Sequence, residues 1–223
     1  MRFGLFGGAR TDPGEQASDS RIYSDYIDYI CEAEELGFHS VFLVEHHFTG
    51  FGQVSATLNF LTYLAAKTTK MRLGTAVLVL PWHNPALLAE QAATLDLLSN
   101  GRLDFGVGKG YRAYEFSGFC IPPEEATERF DEAMAVIRKA WASPGRFSHQ
   151  GKWWHFDNVV VEPSPIQQPV FRPVREDEQG LRIRGSRIRG IAIGKLPFFL
   201  HQDFLQQRNG FRVMQPQRRS LLA

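Results

Sequence analysis

Short apolar runs alternate along the chain with longer stretches in which apolar residues recur every three or four positions, the pattern of strands alternating with helices. Arg2 to Phe6 predicts a first strand, followed by a polar loop from Gly7 to Ser20. Tyr23, Tyr26, Ile27, Ile30, Ala33 and Leu36 fall at helical spacing, and Gly37 is placed to stop that helix. Val41 to Glu45 predicts the second strand, and Val54, Leu58, Leu61, Leu64 and Ala65 the second helix. RLGTAVLVL, from Arg72 to Leu80, is a nearly continuous apolar run, as expected of a parallel strand covered on both faces. Asn84 and Pro85 then suit an N-cap and first helical position, Leu87 to Leu98 carry the helical period, and Gly101 ends it. Leu103 to Val107 predicts a fourth strand opening into the loop GKGY. After Pro122 and Pro123 comes EEATERFDEAMAVIRKAW, with an acidic first turn and a stripe of Phe130, Met134, Ile137 and Trp141. Four βα units in succession imply a parallel sheet with right-handed crossovers. Arg146 to Val161 reads as a hairpin-like insertion.

Composition leaves this picture of a globular α/β chain intact: 43% of the 223 residues are hydrophobic. The start, MRFGLFGG, lacks the basic and long apolar regions of a signal peptide, and AVLVL is too short to span a bilayer, so a cytoplasmic protein without a membrane partner is expected. Cys31 and Cys120 show no C-x-x-C spacing, which predicts two reduced, buried thiols rather than a disulfide or zinc site. Charge changes the picture at the carboxyl end. Residues 172–223 hold eleven of the 25 basic side chains, ten of them Arg, but four of the 24 acidic ones. The near-neutral total of +1 therefore joins an acidic stretch to a basic one. The segment after about residue 168 has no helix or strand period sustained over two turns. Arg182, Arg184, Arg187 and Arg189 would suit a nucleic-acid arm, a solvated tail, or a shifted reading frame never selected to complete the fold; the last is our expectation.

The candidate chemistry lies where apolar runs end. In VFLVEHHFTGFG the second strand runs into Glu45, His46 and His47, at the end of a βα sheet where sites are usually built. On an alternating strand His46 and His47 point to opposite faces, with Glu45 sharing the face of His47, so a converging Glu-His-His metal site is not expected and no metal is assigned. A histidine with an ordinary pKa near 6.5 can give or take a proton close to neutral pH, which suits His46; His47 reads as structural. GVGKG can be a phosphate-binding turn carrying Lys109 or a plain strand-to-helix turn, and it lacks the dinucleotide and Walker registers. Trp153 and Trp154 read as an aromatic hairpin packed on the core or barrel mouth rather than a nucleic-acid platform.

Taken together and in order, VEHHFTGFG, RLGTAVLVLPWHNP, GRLDFGVGKGYRAYEF and FSHQGKWWHF resemble the bacterial luciferase-like, flavin-dependent monooxygenases, the luciferase alpha-subunit type in particular, from Met1 to about Pro169. The resemblance implies a (β/α)8 TIM barrel, here its first four or five βα units, and hence an incomplete barrel over residues 1–169 with the Arg-rich tail at 170–223 apart from it. It implies reduced FMN supplied by a separate flavin reductase, with dioxygen and a small hydrophobic substrate, an aldehyde in the luciferases, and a homo- or heterodimer. It matches His46 to the catalytic, proton-handling histidine, Glu45, Ala76 and Val77 to the isoalloxazine pocket, and Lys109 to the FMN phosphate. Gly108 stands where some luciferases carry a reactive cysteine. After PSPIQQP the chain departs from the family pattern, which leaves a flavin-holding protein without turnover and an inactive fragment as alternatives to a working enzyme.

Overall fold

The computed structural model describes residues 2–10, 18–143 and 145–167, with 174–177 and 180–183 described as backbone strands. The chain divides into two compact units, Met1–Pro173 and Val174–Ala223. In the first, β1 (Gly4–Gly7), α1 (Asp19–Glu35), β2 (Ser40–Leu43), α2 (Thr57–Lys67), β3 (Arg72–Thr75), β4 (Leu78–Val79), α3 (Pro85–Leu98), β5 (Leu103–Asp104), β6 (Val107–Gly108), α4 (Ala113–Gly118) and α5 (Ala126–Ala142) follow in order. The parallel sheet runs β1-β2-β3-β5, and β4 pairs with β6 beyond it. An antiparallel hairpin follows, β7 (Phe147–Gln150) with β8 (His155–Val159), inside the expected 146–161.

Register explains which face is covered. Leu5, Val41, Leu73 and Leu103 are aligned partners and all are buried, packed with Ile30, Leu61, Leu95 and Ile137 from the helices in one core cluster. One step along, Phe6, Phe42, Gly74 and Asp104 align on the other face. Phe6 is 45% exposed there, and Gly74 makes room for the Phe42 ring, which a Cβ at that position would overlap. Arg72, on the same face, grips Asp104 with Nε and Nη2 at 2.8 and 2.6 Å.

The helix boundaries obey local signals. Ser18 caps α1 by accepting from the Arg21 amide, and Gly37 takes a left-handed φ of 86° just past its end. Asn84 accepts from the amides of Ala86 and Leu87, and Gly101 closes α3 with φ 74°. The acidic turn expected to open α5 lies partly ahead of it, in a 3-10 turn over Pro123–Glu125. Two carboxylates fasten neighbouring loops. Glu34 of α1 accepts from the amides of Thr69, Lys70 and Met71 at 2.6 to 3.0 Å. Glu132 of α5 likewise accepts from Lys152, Trp153 and Trp154, and from His149 Nε2.

Several expectations need correction. The second strand ends at Leu43, not Glu45, so the EHH residues sit in the loop beyond it. The run from Arg72 to Leu80 is not one strand: it breaks at Ala76 and Val77, joined by a cis peptide bond, and the fourth strand breaks at Phe105 and Gly106. At the break Thr75 Oγ1 donates to the Gly106 carbonyl at 2.7 Å and accepts from its amide at 2.8 Å, and the Leu78 amide donates to the same carbonyl at 2.9 Å. Cys31 is half-buried and Cys120 is exposed at φ 55° after α4, so the thiols are not both core residues. In the second unit β9 (Val174–Asp177) and β10 (Gly180–Ile183) form an antiparallel hairpin where no strand period was expected. The rest of the Arg-rich tail, residues 170–173, 178–179 and 184–223, lies outside the described residues. Among the described residues no helix is long and apolar enough to cross a membrane.

Leu73→Ala is expected to cost about 2–5 kcal/mol, because a fully buried leucine leaves a cavity. Phe6→Ala on the exposed face should cost well under half as much. Denaturant midpoints of the two variants check this, and equal losses would mean that both faces of the sheet are packed.

Candidate active site

Three segments converge beyond the carboxyl ends of β2, β4 and β6. In the loop after β2, Glu45 is 3% exposed and its carboxylate is fully engaged. Oε2 accepts from the Val79 amide at 2.6 Å, and Oε1 accepts from His47 Nε2 at 3.1 Å and His83 Nε2 at 2.7 Å. Burial pushes the Glu45 pKa up, but the two imidazoles and the amide outweigh it and hold the carboxyl below its ordinary value. An ionised carboxylate only accepts, so each histidine donates from Nε2. His47 is further fixed edge-on to Phe119, ring centres 4.8 Å apart, and to Trp82 at 5.5 Å.

His46 turns the other way, as alternation implied, although the strand has already ended. Its Nδ1 lies 3.2 Å from Oε1 of Glu115, a residue of α4 that is 1% exposed, and the same oxygen accepts the His47 amide at 3.0 Å. A carboxylate acceptor keeps the proton of the neutral ring on Nδ1 and leaves Nε2 as a free base. Burial, and then the charge of Arg112, lower the His46 pKa from its ordinary 6.5; Glu115 and Glu45 oppose them. Arg112 Nη1 stands 4.0 Å from Glu115 Oε1.

The other expected site residues take different places. The Ala76 amide donates to Leu43 O at 2.7 Å, and Val77 presses on Gly108, where a Cβ would come within 2.6 Å of its Cγ2. Both residues are half-buried, and together they form a small apolar wall beside the EHH loop. Lys109 follows Gly108 but is exposed, and its Nζ reaches Thr127 Oγ1 at 3.3 Å rather than any group around His46. Glu115, His83 and Arg112 were not anticipated. Glu115 lies in YRAYEF, for which no element was expected; the short helix α4 there carries it to the His46 ring. His83 stands beside the Asn84-Pro85 helix cap, and only the fold brings it to Glu45. Among the described residues no group of three or more His, Cys, Asp or Glu is arranged to hold a metal ion.

Because folding depresses the His46 pKa, the unfolded chain binds that proton more readily, and stability is expected to fall as pH drops below 6.5. Glu45, held below its ordinary 4.5, adds a second loss at lower pH. The unfolding midpoint measured from pH 7.5 to 5 should decline, and His46→Gln should flatten that decline. In Glu115→Gln, which removes a charge favouring the imidazolium, the His46 NMR titration is expected to move still lower; an upward move would mean that Glu115 does not govern this ring.

The luciferase-like monooxygenase family matches residues 1–198, past the point near residue 169 where the sequence motifs stop. The chain is 40% identical over 174 residues to the alkanal monooxygenase alpha chain of Photorhabdus luminescens, covering 77% of this chain and 47% of that one. It is 33% identical over 171 residues to the oxygenase component of the flavin-dependent trigonelline monooxygenase of Acinetobacter baylyi, covering 76% and 47%. Among solved structures, the monooxygenase RslO1 from Streptomyces bottropensis superposes with a TM-score of 0.70 at 34% identity, over 76% of this chain and 51% of that one. The chain spans about half the length of the curated relatives it matches. A parallel sheet of this order, its strands alternating with helices and its exposed site loops at the carboxyl ends, is part of the TIM barrel those relatives share, and the chain belongs to the luciferase-like monooxygenase family.

Proposed function

We propose that this chain supplies the flavin- and proton-handling side of a flavin-dependent monooxygenase, carried by residues 1–169 with 170–223 apart from it. Reduced FMN would come from a separate flavin reductase, and dioxygen and a small hydrophobic compound, an aldehyde among the candidates, would be the co-substrates. A homo- or heterodimer is the proposed assembly. The observation that carries this reading is His46, its Nδ1 tied to a buried carboxylate and its Nε2 left as a base at the carboxyl end of the sheet. The printed names of the relatives, one a flavin-dependent oxygenase component and one an alkanal monooxygenase, support it.

The residues present suit a flavin. Ala76 and Val77 offer a half-exposed apolar wall of small side chains for a flat ring, and Lys109 offers a solvent-facing cation for a phosphate. When bound, reduced flavin supplies the electrons with which dioxygen is activated. The protein's part is then electrostatic and steric. His46 accepts or returns a proton at Nε2, with Glu115 fixing the ring and the Arg112 charge favouring its neutral form. Glu45 braces the loop through His47, His83 and the Val79 amide, so its contribution to the flavin pocket is to hold the wall in place.

Titration of the purified chain with reduced FMN, followed by oxygenated buffer and a medium-chain aldehyde, tests the reading. Flavin binding that His46→Ala leaves within about threefold, with product formation slowed about 10²- to 10⁴-fold, is the expected result. Flavin binding without oxygen-dependent product in the wild-type chain would support a flavin-holding protein instead. A folded chain that binds no flavin would overturn both.

A further inference from the structure

Two residues along from His46, the loops border a hollow of about 430 Å³ that is open to solvent. Its wall is aromatic: Phe48, Phe51 and Tyr114 line it and remain 60%, 44% and 47% exposed. Its polar groups include two guanidiniums, Arg10 and Arg112, and neither Asp nor Glu is among its described lining residues. That combination runs against the background, because residues 1–171 as a whole carry more acidic than basic side chains.

Arg112 is the better defined of the two cations. Nε donates to the Tyr111 hydroxyl at 2.8 Å and Nη1 to the Tyr114 hydroxyl at 2.7 Å, with the guanidinium carbon 5.5 and 5.9 Å from those rings. Held between two phenols, the planar fork has little rotational freedom left to lose when it binds an anion. Among the described residues Nη2 has no hydrogen-bond partner. Glu115 does not fill that role, since it stands 4.0 Å from Nη1 and its Oε1 already serves His46 and the His47 amide. The same arginine acts on the ring of His46 through its charge, which places the hollow and the proton-handling group within electrostatic reach.

We propose that this hollow is a substrate subsite for a flat, apolar organic carboxylate, its charge held by Arg112 and its hydrocarbon laid against Phe48, Phe51 and Tyr114. The inference rests on the monooxygenase reading of His46 and adds the charge class of its substrate: an acid group seated in this hollow, away from the carbon that reacts.

The test needs no flavin. Binding of 2-naphthoate to the purified chain is compared with that of neutral 2-naphthamide, by calorimetry or ligand-observed NMR, in wild type and Arg112→Met. The acid is expected to bind about tenfold more tightly than the amide in wild type, and Arg112→Met should bring the ratio close to one. Equal affinities in wild type would overturn the proposal, as would a preference that survives in Arg112→Met. Displacement of 2-naphthoate by equimolar inorganic phosphate would overturn it too, by making the hollow a phosphate seat. A reduced-FMN titration on the same preparation separates the two readings: acid preference without flavin binding sinks the monooxygenase reading alone, and flavin binding without acid preference sinks this one.

Discussion

The loop beyond β2 exists in its present form because a carboxylate has been taken out of water there. An ionised Glu45 at 3% exposure is sustainable only while several donors converge on it, and the donors come from three places: its own loop, the amide of Val79, and His83 ahead of α3. The bonds that keep the charge tolerable therefore also fix where β4 and the start of α3 stand relative to the EHH loop. Glu115 repeats the arrangement from the other side, with one buried oxygen holding both a ring nitrogen of His46 and the amide of His47. Between the two carboxylates the loop has little freedom, and the His46 ring is held in one orientation with Nδ1 on Glu115.

How much of this could be read from the chain depended on the distance in sequence between cause and effect. The ends of α3 were legible because Asn84, Pro85 and Gly101 act on their immediate neighbours, and the 147–159 hairpin falls inside the insertion read at 146–161. The breaks in the third and fourth strands were not, because they arise where Thr75 meets Gly106, 31 positions away. His46 was found through its motif, yet the partner that defines its proton lies 69 positions further on in a six-residue helix with too few turns to show a period. Lys109 divides the other way: its placement in a glycine loop was legible, whereas the turn of its side chain toward Thr127 was not.

The interrupted strands have a common purpose in the architecture. A continuous ladder from Arg72 to Leu80 would have carried Ala76 and Val77 flush into the sheet. Instead Thr75 bonds both polar groups of Gly106, whose carbonyl also accepts the Leu78 amide, and the chain bends with those groups satisfied. The bend leaves two small residues half-exposed beside Gly108, where any larger side chain would strike Val77. A flat ligand could meet backbone there, because the strands have been relieved of one another.

Glu34 and Glu132 carry a consequence for anions. Three successive amides pointing to one spot, as at 69–71 and again at 152–154, make the kind of concavity in which proteins seat phosphate. In both places the chain has inserted its own carboxylate, tethered so close that its effective concentration far exceeds that of any free phosphate in solution. These backbone nests are thus closed to outside ligands, each occupied by a carboxylate of the chain itself.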